Sequence, residues 1–221
     1  MKQYITRIMS LIFGLFLYAL GIVLTIKAYI GYSPWDVFHT GLAQKTGMSI
    51  GTASIVTGMV IVGIVLVLGE KIGLGTILNM ILIGVFIDLI FLLNIISVQE
   101  KLVFGIIMLI TGLFVIALGS YFYIKAAFGA GPRDSLMVVL NRKTKLPVGI
   151  CRSVIELAVT IIGWFLGGMV GIGTVISAIA IGFIVQLTFA IFKFVPSAVE
   201  HETLRRTYNI IKKEYSGTKR T

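Results

Sequence analysis

Two matching segments place charged residues that could do chemistry at the ends of long apolar runs. IKAYIGYSPWD spans residues 26–36 and IKAAFGAGPRD spans residues 124–134. Each segment places a lysine at the end of an apolar run, followed by a glycine-containing turn, a proline and an aspartate. A proline with an acidic residue close behind it is typical of the first turn of a helix. The segments therefore predict two short helices that begin with charged side chains.

These two helix starts supply a candidate site for a small solute. Exposed N–H groups at a helix N-terminus, with basic side chains nearby, favour an anion or the anionic end of a zwitterion. The alternative is structural: each aspartate closes a capping box, and each lysine extends to the membrane surface. The candidate solute-binding residues are Lys27, Ser33, Asp36, Lys125, Arg133 and Asp134.

Two further carboxylates lie inside apolar runs, Asp88 within GVFIDLIF and Glu156 within SVIELAV. An ionised carboxylate is costly in such a place unless it has a partner or water. Both residues are therefore candidates for proton coupling. The alternative is a structural pairing with a lysine or with an asparagine such as Asn79.

Catalytic, metal and cofactor chemistry finds little support in the residue types. The single cysteine, Cys151, cannot form an intramolecular disulfide, and the two histidines, His39 and His201, do not make a zinc-ligand cluster with it. Ser135 has no obvious base for nucleophilic catalysis. We therefore expect no catalytic residues, no metal and no cofactor, and an intramembrane enzyme is the weakest of the functions considered.

The composition is that of a membrane protein. Hydrophobic residues make up 57% of the 221 and charged residues 13%, against roughly 45–50% and 25% in a soluble domain; the mean hydropathy is +1.03. The first apolar run has no A-x-A-like cleavage site, so we expect it to be retained as a span. We predict an all-α polytopic protein with six spans of about 20 residues, near 8–28, 49–70, 74–96, 102–124, 148–168 and 173–195.

The chain is a tandem duplication. Gly129 lies 98 residues after Gly31, and the same offset aligns lysine, proline, aspartate and threonine positions without a gap. The repeats occupy residues 8–97 and 102–195, with a tail at 196–221. Three spans in each repeat would make the second repeat enter the membrane from the opposite side, as in many secondary transporters. Each proline-initiated helix would be a half-helix dipping into the bilayer or a helix on its surface.

Basic residues predict the orientation. The loop after Lys125 is more basic than the loop after Lys27, which places the second loop in the cytoplasm, together with both chain termini. The formal charge of +10 is therefore explained by the inner membrane surface, and no nucleic acid partner is expected. The tail carries apolar residues at helical spacing among basic ones, which predicts an amphipathic helix on anionic headgroups: Leu204, Tyr208, Ile211 and Tyr215.

The motifs GYSPWD and GLGT resemble those of the YczE/YyaS/YitT family of bacterial membrane proteins. The resemblance covers about residues 8–195, and the absence of the soluble C-terminal domain common in YitT-like members favours the shorter YczE-like branch. It implies a bacterial inner-membrane location and says little about chemistry. The residues that carry it are Gly31, Ser33, Pro34, Trp35, Asp36, Gly73, Gly75 and Thr76.

The duplication and the paired half-helices favour a permease that moves a small anionic or zwitterionic solute by alternating access. The alternative is a membrane scaffold or accessory protein that assembles with a partner, using glycine-rich spans for close packing. The expected partners are the lipid bilayer and a small solute, and a homo-oligomer is compatible with either function.

Overall fold

A computed structural model describes residues 2–207 as an all-helical protein. This confirms the predicted fold class. The two short helices, α2 and α6, start at the prolines of the duplicated motif, where the missing N–H of proline costs no hydrogen bond. The α-helices of the described chain are α1 (Lys2–Lys27), α2 (Pro34–Thr46), α3 (Ile50–Val67), α4 (Leu74–Leu93), α5 (Leu102–Lys125), α6 (Pro132–Thr144), α7 (Val148–Phe165) and α8 (Ile172–Ile191).

Six of the helices in residues 2–207 are long and apolar enough to cross a membrane: α1, α3, α4, α5, α7 and α8. They match the six predicted spans, although the predicted spans ran three or four residues past the ends of α3, α4, α7 and α8. The reason is backbone geometry. Left-handed conformations end these helices at Gly69 (φ 82°), Asn94 (φ 45°), Gly167 (φ 103°) and Lys193 (φ 49°).

The helix boundaries of the two halves coincide at the offset of 98 residues, from the first residue of α2 and α6 to the last of α4 and α8. The unusual backbone positions coincide as well. Gly31 (φ 110°) and Gly129 (φ 128°) have equivalent places in the turns that precede α2 and α6. These values suit glycine, so the sharp turns depend on it.

The first helices of the two halves, α1 and α5, cross closely at glycines. A Cβ atom added to Gly14 would lie 2.9 Å from the carbonyl oxygen of Gly119, and one added to Gly21 would lie 2.7 Å from that of Gly112. Residue numbers rise from Gly14 to Gly21 along α1 while those of the contacting residues fall along α5. The two helices are therefore antiparallel. Small residues allow this close backbone approach, as they do between membrane helices generally.

The connections between helices interlock in an equivalent way. The amide of Gly173 donates to the carbonyl of Ile30 (2.8 Å), and the amide of Gly75 donates to the carbonyl of Phe128 (2.7 Å). The two bonds are equivalent, because replacing each residue of one bond by its equivalent in the other half, 98 positions away, gives the other bond. Equivalent hydrogen bonds thus join the two halves in both directions.

The tail was predicted to lie on lipid headgroups, and its described part packs on the protein. The Glu202 carboxylate lies 2.7 Å from the Arg7 guanidinium, and the Glu202 amide donates to the Ala127 carbonyl (2.8 Å). Most of the predicted amphipathic helix, including Tyr208 and Ile211, lies outside the described residues.

Candidate functional site

Two adjoining cavities lie where the short helices α2 and α6 begin. The central cavity, about 190 Å³, is lined by the first turn of α6 (Gly131 to Asp134) and by parts of α1, α2, α3, α4, α5, α7 and α8. The inner cavity, about 60 Å³, is lined by the start of α2 (Ser33 to Asp36) and by Ser177 of α8. The walls common to both include Trp35, Arg133, Arg152 and Glu156.

The N-termini of α2 and α6 meet through an arginine and a tryptophan at equivalent positions of the repeat. The guanidinium carbon of Arg133 lies 4.6 Å from the centre of the Trp35 ring, a favourable cation–π contact. Within residues 2–207 the Arg133 guanidinium has no ion pair and no hydrogen bond. Its charge is therefore available to an anionic group in either cavity.

The two duplicated aspartates have different surroundings. Asp134 is exposed and accepts a hydrogen bond from the Tyr123 hydroxyl (2.6 Å), with the Asn79 amide group close to the same turn. Asp36 is only 1% exposed. The structure is therefore asymmetric at its centre, with the α6 end accessible and the α2 end closed.

The Asp36 carboxylate is bound by a neighbouring side chain and does not cap the backbone of α2. Its Oδ2 accepts a hydrogen bond from the Ser33 hydroxyl, and its Oδ1 lies 3.8 Å from Nδ1 of the buried His39. Burial lowers the pKa of His39, while its contact with Asp36 opposes the shift. Ser33 is the N-cap residue of α2, but no side-chain cap bond forms at α2 or at α6. The predicted capping boxes are wrong, because Ser33 and Tyr123 engage the two carboxylates instead.

Glu156 has a partner that the sequence interpretation missed. Its Oε1 accepts a hydrogen bond from Nε of Arg152 (2.8 Å), one turn earlier on α7. The glutamate side chain is 16% exposed and the arginine side chain 43% exposed, and both line the two cavities. The signal was present as an Arg–Glu pair at i,i+4 spacing, a favourable arrangement on a helix.

Asp88 lies away from both cavities. Its carboxylate accepts hydrogen bonds from the amide of Gly51 (2.8 Å) and from the hydroxyl of Ser49. Ser49 and Gly51 form the N-terminus of α3, so Asp88 satisfies exposed amides there and complements the helix dipole. Asp88 is therefore paired with a helix N-terminus, and not with a lysine or Asn79 as the structural alternative had it.

This position leads to a stability prediction. Replacing Asp88 by alanine should lower the free energy of unfolding by about 1 kcal/mol, as loss of a helix N-terminal acceptor does, and leave the cavities unchanged. Thermal unfolding of the purified protein measures this, with Gln186→Ala, an exposed residue at the equivalent position of α8, as control. A transport defect with unchanged stability would instead support the proton-coupling hypothesis for Asp88.

The two lysines of the predicted site also lie outside both cavities. Nζ of Lys27 is 5.3 Å from the centre of the Phe91 ring. Lys125 is exposed, and its ammonium donates to the Tyr121 hydroxyl (2.9 Å). Of the six candidate binding residues, the structure brings Ser33, Asp36, Arg133 and Asp134 together. The positive charge at the cavities comes from the predicted Arg133 and from Arg152, which was not a candidate.

The chain has sequence relatives among known proteins. Residues 5–189 match the family described as "Family of unknown function (DUF6198)". The chain belongs to this family. Relatives named YczE and YyaS, the first of them described as a membrane protein, confirm the resemblance to the YczE-like family.

Curated relatives from two bacteria extend the comparison. The chain is 39% identical to "Uncharacterized membrane protein YczE" of Bacillus subtilis over 178 residues, covering 79% of this chain and 81% of that protein. It is 34% identical to an "Uncharacterized protein" of Haemophilus influenzae over 194 residues, 88% of each. It is 29% identical to "Uncharacterized protein YyaS" of Bacillus subtilis over 171 residues, 74% of this chain and 83% of that protein. No solved structure matches the chain.

Proposed function

We propose that this integral membrane protein is a permease for a small zwitterionic or anionic solute, working by alternating access between two inverted repeats. One observation carries the proposal: the N-termini of two short helices, one from each repeat, meet at a cavity with charged walls. In secondary transporters, such half-helix ends bind solutes near the middle of the membrane. No catalytic step is part of the proposal.

The charges around the cavities support a solute that carries both signs. Arg133 and Arg152 are basic, and Asp36, Asp134 and Glu156 are acidic. Arg152 and Glu156 already form an ion pair with each other. The groups left to meet a solute are therefore Arg133 and the two aspartates, one cation and two anions on facing helix starts.

Packing differences between the repeats support alternating access. On one side, α2 and α7 touch through glycines, since a Cβ added to Gly41 would lie 2.4 Å from the carbonyl oxygen of Gly163. The equivalent positions on α6 and α3 are Val139 and Val65, which are buried together in one apolar cluster. Larger side chains keep α3 and α6 further apart than α2 and α7, so one side is closed while the other gives access to Asp134.

The open side corresponds to the predicted cytoplasmic face. The central cavity extends along the C-terminal halves of α5 and α8, reaching Tyr123 and Phe189. The segments that begin at those helix ends, residues 125–145 and 192–221, carry more basic than acidic residues, and such segments face the cytoplasm. We propose that the structure represents an inward-facing state in a bacterial inner membrane with both chain termini inside.

Cysteine labelling tests the inverted orientation. In a Cys151→Ala background, Lys45→Cys and Lys143→Cys place single thiols at exposed, repeat-equivalent positions in the last turns of α2 and α6. An impermeant maleimide added to intact cells should label position 45 and leave position 143 unlabelled until the membrane is opened. Equal labelling of both positions in intact cells would rule out inverted repeats.

Uptake into proteoliposomes tests the permease itself. Radiolabelled amino acids and small carboxylates form the panel, because they present the charges that the cavity can pair. Arg133→Gln should abolish any uptake that the wild-type protein shows. Lys125→Gln removes one positive charge from the same motif, outside the cavity, so uptake should persist. Wild-type protein that moves none of the panel, and whose deletion disrupts a membrane complex, would favour the scaffold alternative.

A further inference from the structure

The inner cavity contains two buried oxygen atoms that have no hydrogen-bond partner. They are Oδ1 of Asp36 and Oγ of Ser177, and each side chain belongs to a residue only 1% exposed. Both residues line this cavity of about 60 Å³, which has room for a water molecule or a small ion. Because unsatisfied buried oxygens are costly, their convergence on one small cavity points to a bound group.

The oxygen set indicates what that group would be. Asp36 offers a carboxylate oxygen and Ser177 a hydroxyl, and the Ser33 hydroxyl donates to the other oxygen of Asp36. The nearest ionic neighbour of Asp36 in residues 2–207 is His39, at 3.8 Å, which is beyond hydrogen-bond distance. A carboxylate and hydroxyls are ligands for a hard cation or acceptors for an ammonium group.

The basic residues that line the inner cavity do not pair with the free carboxylate oxygen of Asp36. Arg152 is held by Glu156 at 2.8 Å, and Arg133 is stacked on Trp35. Neither guanidinium forms an ion pair with Asp36 in the described chain. The free carboxylate oxygen and the free guanidinium therefore remain as separate partners for the two ends of one zwitterion, or for a cation and an anion that bind together.

The corresponding end of the second repeat differs from the inner cavity. The equivalent of Ser177 in the first repeat is Asn79, which lies beside Asp134. At that end the aspartate is exposed and already bonded by Tyr123. Only the Asp36 end combines a carboxylate with small hydroxyl side chains and closure from solvent, so it has the features of a compact cation site.

We propose that the inner cavity binds a small cationic group, either the ammonium group of a solute or Na⁺, through Asp36, Ser177 and Ser33. In the first case the proposal rests on the permease function, and Arg133 meets the carboxylate end of the same molecule. In the second case the cation binds beside the solute.

Thermal unfolding of the purified full-length protein in detergent tests the proposal without a transport assay. Sodium, ammonium and methylammonium chloride are compared with choline chloride at the same ionic strength, since choline is too large and has no N–H donor. A cation that binds the folded state should raise Tm by a few degrees over choline when it is well above its Kd.

Three variants locate the effect. Asp36→Asn and Ser177→Ala should remove the cation-dependent rise in Tm, and Ser177→Ala should leave the Tm in choline unchanged because the hydroxyl has no partner to lose. Glu100→Gln removes an exposed carboxylate from the loop before α5 and should retain the full rise.

The outcomes distinguish an inorganic cation from the ammonium group of a solute. A rise with sodium alone indicates an inorganic cation, and a rise with ammonium or methylammonium indicates the amine end of a solute. No rise over choline, or an equal rise in Asp36→Asn, means that the cavity holds only water and overturns the proposal. A cation effect that depends on Asp36 in a protein without uptake would leave the site established and the permease function refuted.

Discussion

Replacing Gly119 by leucine is expected to cause a large loss of stability. A Cβ atom at this position would lie 2.6 Å from the amide nitrogen of Tyr18 and 2.7 Å from the carbonyl oxygen of Gly14. Both neighbours are backbone atoms of α1, so no side-chain rotation relieves the contact. Overpacking typically costs about 1–3 kcal/mol and occasionally more, and here it separates the two helices that join the halves.

The measurement is the midpoint of thermal unfolding in detergent, together with the monodispersity of the purified protein in size-exclusion chromatography. Gly182→Leu is the matched control, because nothing lies within 4 Å of a Cβ at that position on α8. Gly119→Leu should unfold at a clearly lower temperature than Gly182→Leu. If the two variants unfold together, the close crossing of α1 and α5 is wrong.

The sequence was sufficient to predict the helices, because their signals are local. Twenty-residue apolar runs give the spans, and the pairs Ser33-Pro34 and Gly131-Pro132 give the starts of α2 and α6 to the residue. The duplication also predicted that these two starts belong together. Where it failed, at the ends of α3, α4, α7 and α8, the chain takes a left-handed conformation that hydropathy alone does not indicate, at Gly69, Asn94, Gly167 and Lys193.

The site was harder to predict because it depends on which way side chains point. Lys27 and Lys125 are repeat-equivalent and basic, yet their side chains lie against Phe91 and Tyr121, outside the cavities. Arg152 has a serine, Ser54, as its repeat equivalent, so comparison of the repeats gave it no prominence. Arg152, which differs from its repeat equivalent, is therefore as informative about the cavity as the residues that are alike in both repeats.

The asymmetry between the repeats is visible in the sequence only after the contacts are known. Gly41 and Gly163 are equivalent to Val139 and Val65, and these four residues sit at the two helix contacts that would open in turn. With glycine, α2 and α7 approach closely; with valine, α6 and α3 are held apart. In the proposed alternating mechanism this difference favours one of two conformations, and a single added side chain should change that balance.

Gly163→Val is therefore expected to open the α2–α7 contact and expose the Asp36 end of the cavities. A Cβ at Gly163 would lie 2.5 Å from the amide nitrogen and the Cα atom of Phe38, both backbone atoms of α2. A penalty of about 1–3 kcal/mol applied to the closed contact alone shifts a two-state equilibrium by roughly 5- to 150-fold. Transport that requires this contact to close should fall by a comparable factor.

Hydrogen exchange of backbone amides measures the change in each short helix separately. In the wild-type protein α2 should exchange more slowly than α6, because its contact with α7 is closed, and Gly163→Val should raise exchange in α2 while α1 and α5 keep their protection. Gly182→Val, where nothing lies within 4 Å, is the control and should leave α2 unchanged. Increased exchange throughout the protein would show that Gly163 supports the fold as a whole, and the closed contact would then have no part in an alternating mechanism.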